Sequence, residues 1–476
     1  MILNTRCSFL PGSLGADRIC DRARFTAYTS VSNLCSYRAL WMKKPIRVFL
    51  IILLSAVAAL LGLLIIRNLI DYPVYYAAGQ SLLGGRSDLY APDFALGQVM
   101  DYRYPPLFLV SFAPLWNLPY SISAYVWYLM SLVEIFGCAV IVLRIFPEIG
   151  RSTKLWLLVV LGTVQYFVMV LHYGNAHLLA TFCLFAALYF LIAERSVLAG
   201  LLMAIAITIK LTPLLVLPYL AIKRRWNILA MVFVFLVVLN LIPAFWFGFE
   251  ANNRLLAGWY RHVVASQEFH EDNGPINLSL KGQLRRYLST IPYSERVDGD
   301  VRYPEVNVAS LSRQQLFYAW LIVSSVITAG VLALLWRNRK GPRTEEGSKA
   351  NQRIGLLETD LSIMICLMLL VEPLTSKIYF IALLWPLACL ASIAVEQLNS
   401  RRAIAPKALI AIAAINLILP LLPGRSIQRW LLALGADFYL NCLLMGVLLF
   451  VLLHRRVTQL QSGVSQMPAQ SEAKMP

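Results

Sequence analysis

Apolar runs of membrane-crossing length recur along this chain, joined by short connections that hold most of its basic residues. The first, 48–66, is 19 residues without a charge. At ~1.5 Å rise per residue a helix of that length spans a hydrocarbon layer about 30 Å thick. Further runs follow at 122–145, 155–171, 177–193, 197–209, 212–222, 228–247, 315–336, 360–372, 378–395, 407–422 and 433–453. The pattern predicts an all-α polytopic membrane protein of about 12 transmembrane helices. Two stretches are awkward. Residues 105–118 must stay at one surface or dip in and return, and Pro213 must mark a turn between two short helices. The alternative is one continuous span over 198–220, which would carry the 172–177 loop to the opposite side.

Basic residues orient the runs, because short cytoplasmic loops are enriched in Lys and Arg. Lys43, Lys44 and Arg47, then Arg151 with Lys154, Lys223-Arg224-Arg225, the stretch from Trp336 to Arg353, Arg401-Arg402 with Lys407, and His454-Arg455-Arg456 all fall on one side when the chain crosses twelve times. That side is read as cytoplasmic. The implied location is the inner, cytoplasmic membrane, multi-pass, with 69–120 and 249–314 on the periplasmic or exterior face. Neither segment has the make-up of an independent soluble domain. The first is rich in Tyr, Pro and Gly, with apolar residues at helical spacing, which suggests short amphipathic helices in the interface.

Composition agrees: 59% of the 476 residues are hydrophobic and 14% charged, with a mean hydropathy of +0.66. The net charge of +17 collects in the short connections. Anionic membrane lipids account for it, and no nucleic-acid partner is expected. Of eight cysteines, Cys138, Cys183, Cys366, Cys389 and Cys442 lie in apolar runs and read as small hydrophobes. Residues 1–41 are polar and lack the apolar core of a secretory signal. They are expected to be a poorly structured extension ahead of a misassigned start, since Met42-Lys43-Lys44-Pro45 reads as a natural beginning. An integral membrane domain is expected over 42–456 and a disordered cytoplasmic tail over 457–476.

The chemistry starts with Asp71, in the run Asn68-Leu69-Ile70-Asp71-Tyr72-Pro73-Val74-Tyr75-Tyr76 just past the first apolar stretch. A lone carboxylate at an interface among aromatic rings is either a functional acid or the end of a helix. Lys210, between Ile209 and Leu211, either meets an anion or extends its amine to the nearer interface. Glu134, inside a span, reads as a paired structural acid. His172 and His177 flank Gly174-Asn175, but their i, i+5 spacing suits no single helix face and no third ligand is near, so no metal site is expected. A polar turn that hydrogen-bonds sugar hydroxyls through Tyr173, Asn175 and His177 fits better. No Gly-rich phosphate loop or soluble α/β domain is present for a nucleotide sugar, and no cofactor is implied.

The run from Asp71 to Tyr90, Tyr104-Pro105-Pro106-Leu107, Lys210-Leu211-Thr212-Pro213 followed by Lys223-Arg224-Arg225-Trp226, and Asn277-Leu278-Ser279-Leu280-Lys281-Gly282 occur in an order that resembles glycosyltransferase family 87 over about 48–395. That family contains polyprenyl-phosphate-mannose-dependent mannosyltransferases of the phosphatidylinositol mannoside type. The resemblance implies a C-type glycosyltransferase bundle with interfacial helices in its first outer loop. It also implies a polyprenyl-phosphate-sugar donor, a lipid or glycan acceptor, and an inverting hexosyl transfer with Asp71 as base. Lys210, Lys377 and Arg103 are then the candidates for the donor phosphate. Tyr75, Tyr76, Tyr104, Tyr173, Asn175, His177, Asn277 and Lys281 are candidates for sugar or acceptor. The chain departs from the family at Glu372-Pro373-Leu374-Thr375-Ser376-Lys377, where a Ser-Pro element and histidines are usual. Lys377 keeps a cation there, and a Glu372 to Lys377 pair is the structural alternative. Two other classes stay open: a transporter or flippase of lipid-linked sugars, and a ligase or polymerase that uses a lipid diphosphate donor.

Overall fold

The computed structural model describes residues 56–85, 89–90, 102–265, 276–290, 304, 306–337, 349–397 and 404–465. The N-terminal extension, the start of the first run, the turn residues Asn273-Gly274-Pro275 and the final 11 residues lie outside them. The chain divides into two units, Met1–Ala56 and Val57–Pro476, and the architecture below is that of the second.

Among the described residues there is no strand, and the parts of the expected runs that they include are almost wholly helical. Among the described residues six helices are long and apolar enough to cross a membrane: Tyr120–Ile145, Trp226–Phe247, Arg313–Trp336, Lys377–Gln397, Ile404–Leu421 and Ala436–His454. Two bent pairs raise the number to as many as 8. Thr153–Leu161 and Val164–Tyr173 meet at 49°, and Ala56–Asn68 and Tyr72–Leu83 at 70°. His177–Ile192, Ser196–Ile209 and Thr212–Ile222 are shorter apolar helices. The last helix runs on to Ser465, past the expected domain end at 456.

Prolines set the breaks that matter. A proline in a helix collides with the carbonyl four residues before it and offers that carbonyl no donor. Pro73 acts on Leu69, where the chain turns extended (ψ 141°) between the two arms of the 70° elbow. Pro213 acts on Ile209, where Ser196–Ile209 stops and Lys210 is extended (φ −144°, ψ 125°). The break expected at Pro213 therefore lies three residues earlier, and Pro213 itself sits inside the short 3-10 turn Thr212–Leu215. Two short helices, not one continuous span, occupy 198–220. Pro373 disfavours the helical conformation for Glu372, and Lys349–Val371 ends at the residue before it.

The core has two parts. One gathers aromatic side chains around the fully buried Tyr72, whose ring lies 5.4 Å from Trp127 and 6.3 Å from Trp116. Its hydroxyl meets Ser123 Oγ at 2.5 Å, and Ser123 Oγ donates on to the Leu115 carbonyl at 2.7 Å, so this deep phenol is satisfied. The other part joins His177–Ile192, Ser196–Ile209, Lys349–Val371 and Lys377–Gln397 through Phe185, Phe380 and Trp385. At one end of Val216–Ile222, Lys223 pairs with the buried Asp360 at 2.7 Å. Beyond its other end, Lys210 meets Glu372. These two ion pairs tie Lys349–Val371 to its neighbours at its middle and just past its C-terminal end.

Candidate active site

Asp71 stands in the 70° elbow, and the Tyr173-Gly174-Asn175 turn clamps it. Its amide donates to the Tyr173 carbonyl at 2.9 Å, and its Oδ2 accepts from Asn175 Nδ2 at 2.6 Å. The clamp is stiff. Asn175 Oδ1 accepts from the His177 amide at 2.7 Å, which fixes the Asn175 side chain on the start of the next helix. Trp127 Nε1 donates to the Gly174 carbonyl at 3.0 Å. Gly174 has φ +63°, and a side chain on it would begin 3.0 Å from Tyr72 Cβ. Only glycine takes both that backbone and that approach without strain.

Burial pushes the Asp71 pKa up to about 6, and the Asn175 hydrogen bond and the charges of Arg103 and Lys210 pull against it. The carboxylate thus lies within electrostatic reach of two cations, with Tyr75 and Tyr104 beside it. Those phenols meet at 3.0 Å, Tyr75 Oη accepts from the Ala176 amide at 3.4 Å, and Tyr90 donates to the Tyr104 carbonyl at 2.7 Å. Burial holds the Tyr104 phenol well above its ordinary range, so it remains a neutral donor. Arg103 is placed by its carbonyl, which accepts from Trp259 Nε1 at 3.1 Å.

Lys210 is held from two sides. Its Nζ donates to the Tyr379 hydroxyl and lies 3.6 Å from Glu372 Oε1, which also accepts from Thr212 Oγ1 at 2.8 Å. The His177 ring stacks on Tyr379 at 4.2 Å and 21°. The chain of contacts from Asp71 through Asn175 and His177 to Tyr379, Lys210 and Glu372 is continuous.

Other candidates take different places. The Glu372 to Lys377 pair weighed as the structural alternative does not form: Glu372 goes to Lys210, and Lys377 lies 3.7 Å from Asp437. Asp437 also accepts from Tyr166 at 2.8 Å, so Lys377 belongs to a separate polar group within the bundle. Two prolines explain the exchange. The one that ends Ser196–Ile209 puts Lys210 in extended chain, and the one after Glu372 turns that acid out of its helix beside it. Asn277 holds a loop: Nδ2 donates to the Pro373 carbonyl at 2.8 Å, and Oδ1 accepts from the Ser279 and Thr375 amides. It thereby fixes the backbone next to Glu372. Lys281 lies 5.5 Å over the Trp320 ring, and Tyr76 donates to the Leu118 carbonyl at 2.7 Å. His172 is exposed, and among the described residues no three His, Cys, Asp or Glu side chains gather as metal ligands. Glu134, expected to be paired, has no hydrogen-bond or ion-pair partner among the described residues, because its neighbours on that face are Cys138 and Cys183. Tyr379 and Thr212 were not anticipated as site residues. Their signal was adjacency, Tyr379 two residues past Lys377 and Thr212 two past Lys210.

Two curated relatives are polyprenol-phosphate-mannose-dependent alpha-(1-2)-phosphatidylinositol pentamannoside mannosyltransferases. The one from Mycobacterium tuberculosis is 29% identical over 169 residues, 33% of this chain and 37% of the relative. The one from Mycolicibacterium smegmatis is 28% identical over 172 residues, 34% of this chain and 40% of the relative. The matched region thus spans well under half the length of these relatives. No solved structure matches significantly. The model of glycosyltransferase family 87 matches residues 102–357, which takes in Arg103, Tyr104, Asn175, His177 and Lys210 but not Asp71, Glu372 or Tyr379. That match covers more than half of the chain, which therefore belongs to glycosyltransferase family 87.

Proposed function

We propose that this chain is a membrane hexosyltransferase that moves a hexose, mannose by analogy with the donor named for its relatives, from a polyprenyl phosphate to a lipid or glycan acceptor. Asp71 is the base. It takes the proton of the acceptor hydroxyl as that oxygen bonds to the anomeric carbon, and the bond from that carbon to the phosphate oxygen breaks with its electrons leaving on the polyprenyl phosphate. A single displacement of this kind inverts the anomeric centre. Lys210 and Arg103 hold the phosphate as its negative charge grows. One observation carries the reading: a largely buried carboxylate has one oxygen tied to Asn175, the other without a hydrogen-bond partner among the described residues, and two cations within electrostatic reach.

Several parts of the reading rest on the hydropathy pattern and the basic loops. These are twelve crossings, Pro106–Ser111 and Ala113–Trp116 as interfacial helices, the location in the inner membrane and a site open to the periplasmic or exterior face. Purified protein in detergent, given radiolabelled polyprenyl-phosphate-mannose and a membrane extract as acceptor source, should transfer label in the wild type and not in Asp71→Asn. Equal transfer by a well-folded Asp71→Asn would remove the base. Movement of the donor across vesicles without transfer would favour a flippase.

A further inference from the structure

The cation that faces the donor phosphate in the proposed reaction does not stand alone. Glu372 is locked against it, and only half of that carboxylate is used. Oε1 takes both Thr212 Oγ1 and the Lys210 ion pair. Oε2 is buried and accepts no hydrogen bond among the described residues. A buried acceptor left empty is costly, so an oxygen in this state points to a donor that arrives with a ligand. A second polar group nearby is in the same condition. His177 is 6% exposed, and among the described residues neither ring nitrogen has a hydrogen-bond partner of normal geometry, the nearest polar group being the Tyr379 main chain. Tyr379 joins the two, since His177 stacks on its ring and Lys210 donates to its hydroxyl. The whole arrangement is supported from behind by Asn277, which grips the Pro373 carbonyl and the Thr375 amide. Gly282 permits that grip, because a side chain there would begin 2.1 Å from the Asn277 carbonyl oxygen.

We infer that Glu372 Oε2 reads a hydroxyl of the transferred hexose, with His177 as the neighbouring polar contact, so that Glu372 is a specificity-determining residue for the sugar. The inference rests on the proposed transfer. Its logic is positional: Lys210 takes the phosphate, Glu372 touches Lys210, and the groups next to a glycosyl phosphate are the hydroxyls of its own ring. A carboxylate accepting from a hydroxyl in a buried site discriminates strongly against the analogue that lacks it.

The test is a cycle of protein and substrate. Wild type and Glu372→Gln are assayed with polyprenyl-phosphate-mannose and its 2-, 3-, 4- and 6-deoxy analogues, with folding checked by size exclusion in detergent. Glu372→Gln should lower kcat/KM for the full sugar by about 10- to 100-fold, the range of a hydrogen bond to a charged group. For one deoxy analogue the loss should be several-fold smaller than for the full sugar, because the hydroxyl bond it weakens is already missing and only the weakened Lys210 pair remains. An equal loss for every analogue, or no loss for the full sugar, overturns the assignment while leaving the transferase reading intact. Absence of transfer by the wild type overturns both. If Glu372→Gln does not accumulate, Glu372→Asp withdraws the same oxygen, keeps the charge and carries the same cycle.

Discussion

Replacing Asp71 with Asn should separate stability from activity in opposite directions. Burial pushes the Asp71 carboxyl up from its ordinary 3.8 to about 6. The difference of about 2 units means that ionising this side chain in the fold costs on the order of 3 kcal/mol more than in the unfolded chain. The sign follows from proton binding. Between pH 3.8 and about 6 the folded state holds the proton and the unfolded state does not. The contribution to stability is therefore complete at low pH and is lost as pH rises through 6. Asparagine is isosteric and never charges, and its Oδ1 still accepts from Asn175 Nδ2. Exchanging a charge-assisted hydrogen bond for a neutral one returns about 1 kcal/mol of the gain. Near pH 7.5, Asp71→Asn should then be the more stable by about 1–2 kcal/mol, read as a raised Tm in detergent. The difference should vanish toward pH 4. Transfer by the variant should fall about 10²- to 10⁴-fold, the usual worth of a positioned base. Wild-type transfer should fall on acidification with a midpoint near pH 6. A variant less stable than wild type at pH 7.5, or equally active, would refute the picture of a strained, deprotonated base.

Asn175→Ala removes the donor to Asp71 Oδ2, so the pH midpoint of transfer should move upward by about one unit and kcat at pH 7 should drop about twofold, with a larger drop near pH 6 and the donor KM little changed. A pH profile of the variant superimposable on wild type would contradict this. Gly174→Ala puts an alanine at φ +63° and its Cβ 3.0 Å from Tyr72 Cβ, so it should lower Tm by an amount worth about 1–3 kcal/mol and reduce transfer, because the clamp on Asp71 shifts. Lys223→Met leaves Asp360 buried without its ion partner, and should destabilise the bundle by about 3–5 kcal/mol, whereas the double variant Lys223→Met, Asp360→Leu should recover most of that loss. Thermal unfolding in detergent reads both.

The helical content was legible because apolar runs of this length leave few other structures open to the backbone in a lipid environment. Asp71 and Lys210 were legible for a related reason: a charged residue in or beside a long apolar run is conspicuous, and each stands next to a proline-induced break. What escaped was partner choice. Glu372 is five residues from Lys377 and 162 from Lys210, so chain proximity favoured the wrong lysine. The bonds that Asn277 and Tyr76 make to main chain were equally hidden from the sequence. Both look like sugar ligands as side chains, yet both are committed to carbonyls that the loops leave unpaired. Where backbone leaves regular structure inside a bundle, its polar groups compete for side chains with any ligand, and a linear reading cannot tell which demand wins.

The prolines join these points into one argument. Pro73, Pro213 and Pro373 each interrupt or end a helix just before a charged residue of the cluster, at Asp71, Lys210 and Glu372. A helical backbone would satisfy its own amides and carbonyls and aim each side chain by the helix period. A broken one frees carbonyls, and the site uses them: Tyr173 O receives the Asp71 amide, and Pro373 O receives Asn277. The breaks, with the glycine stop after Tyr173, thus bring three ionisable groups from segments more than a hundred residues apart into one chain of contacts and supply the main-chain acceptors that fix them. Replacing Pro213 with Ala tests the point without touching any polar side chain. It removes the clash with the Ile209 carbonyl and lets Ser196–Ile209 extend through Lys210. The lysine should then leave Tyr379 and Glu372, with a rise in donor KM and little change in Tm, since the added helical hydrogen bond offsets the lost ion pair. An unchanged KM in that variant would mean that Lys210 is held by its partners alone and that the proline merely records where the helix happened to end.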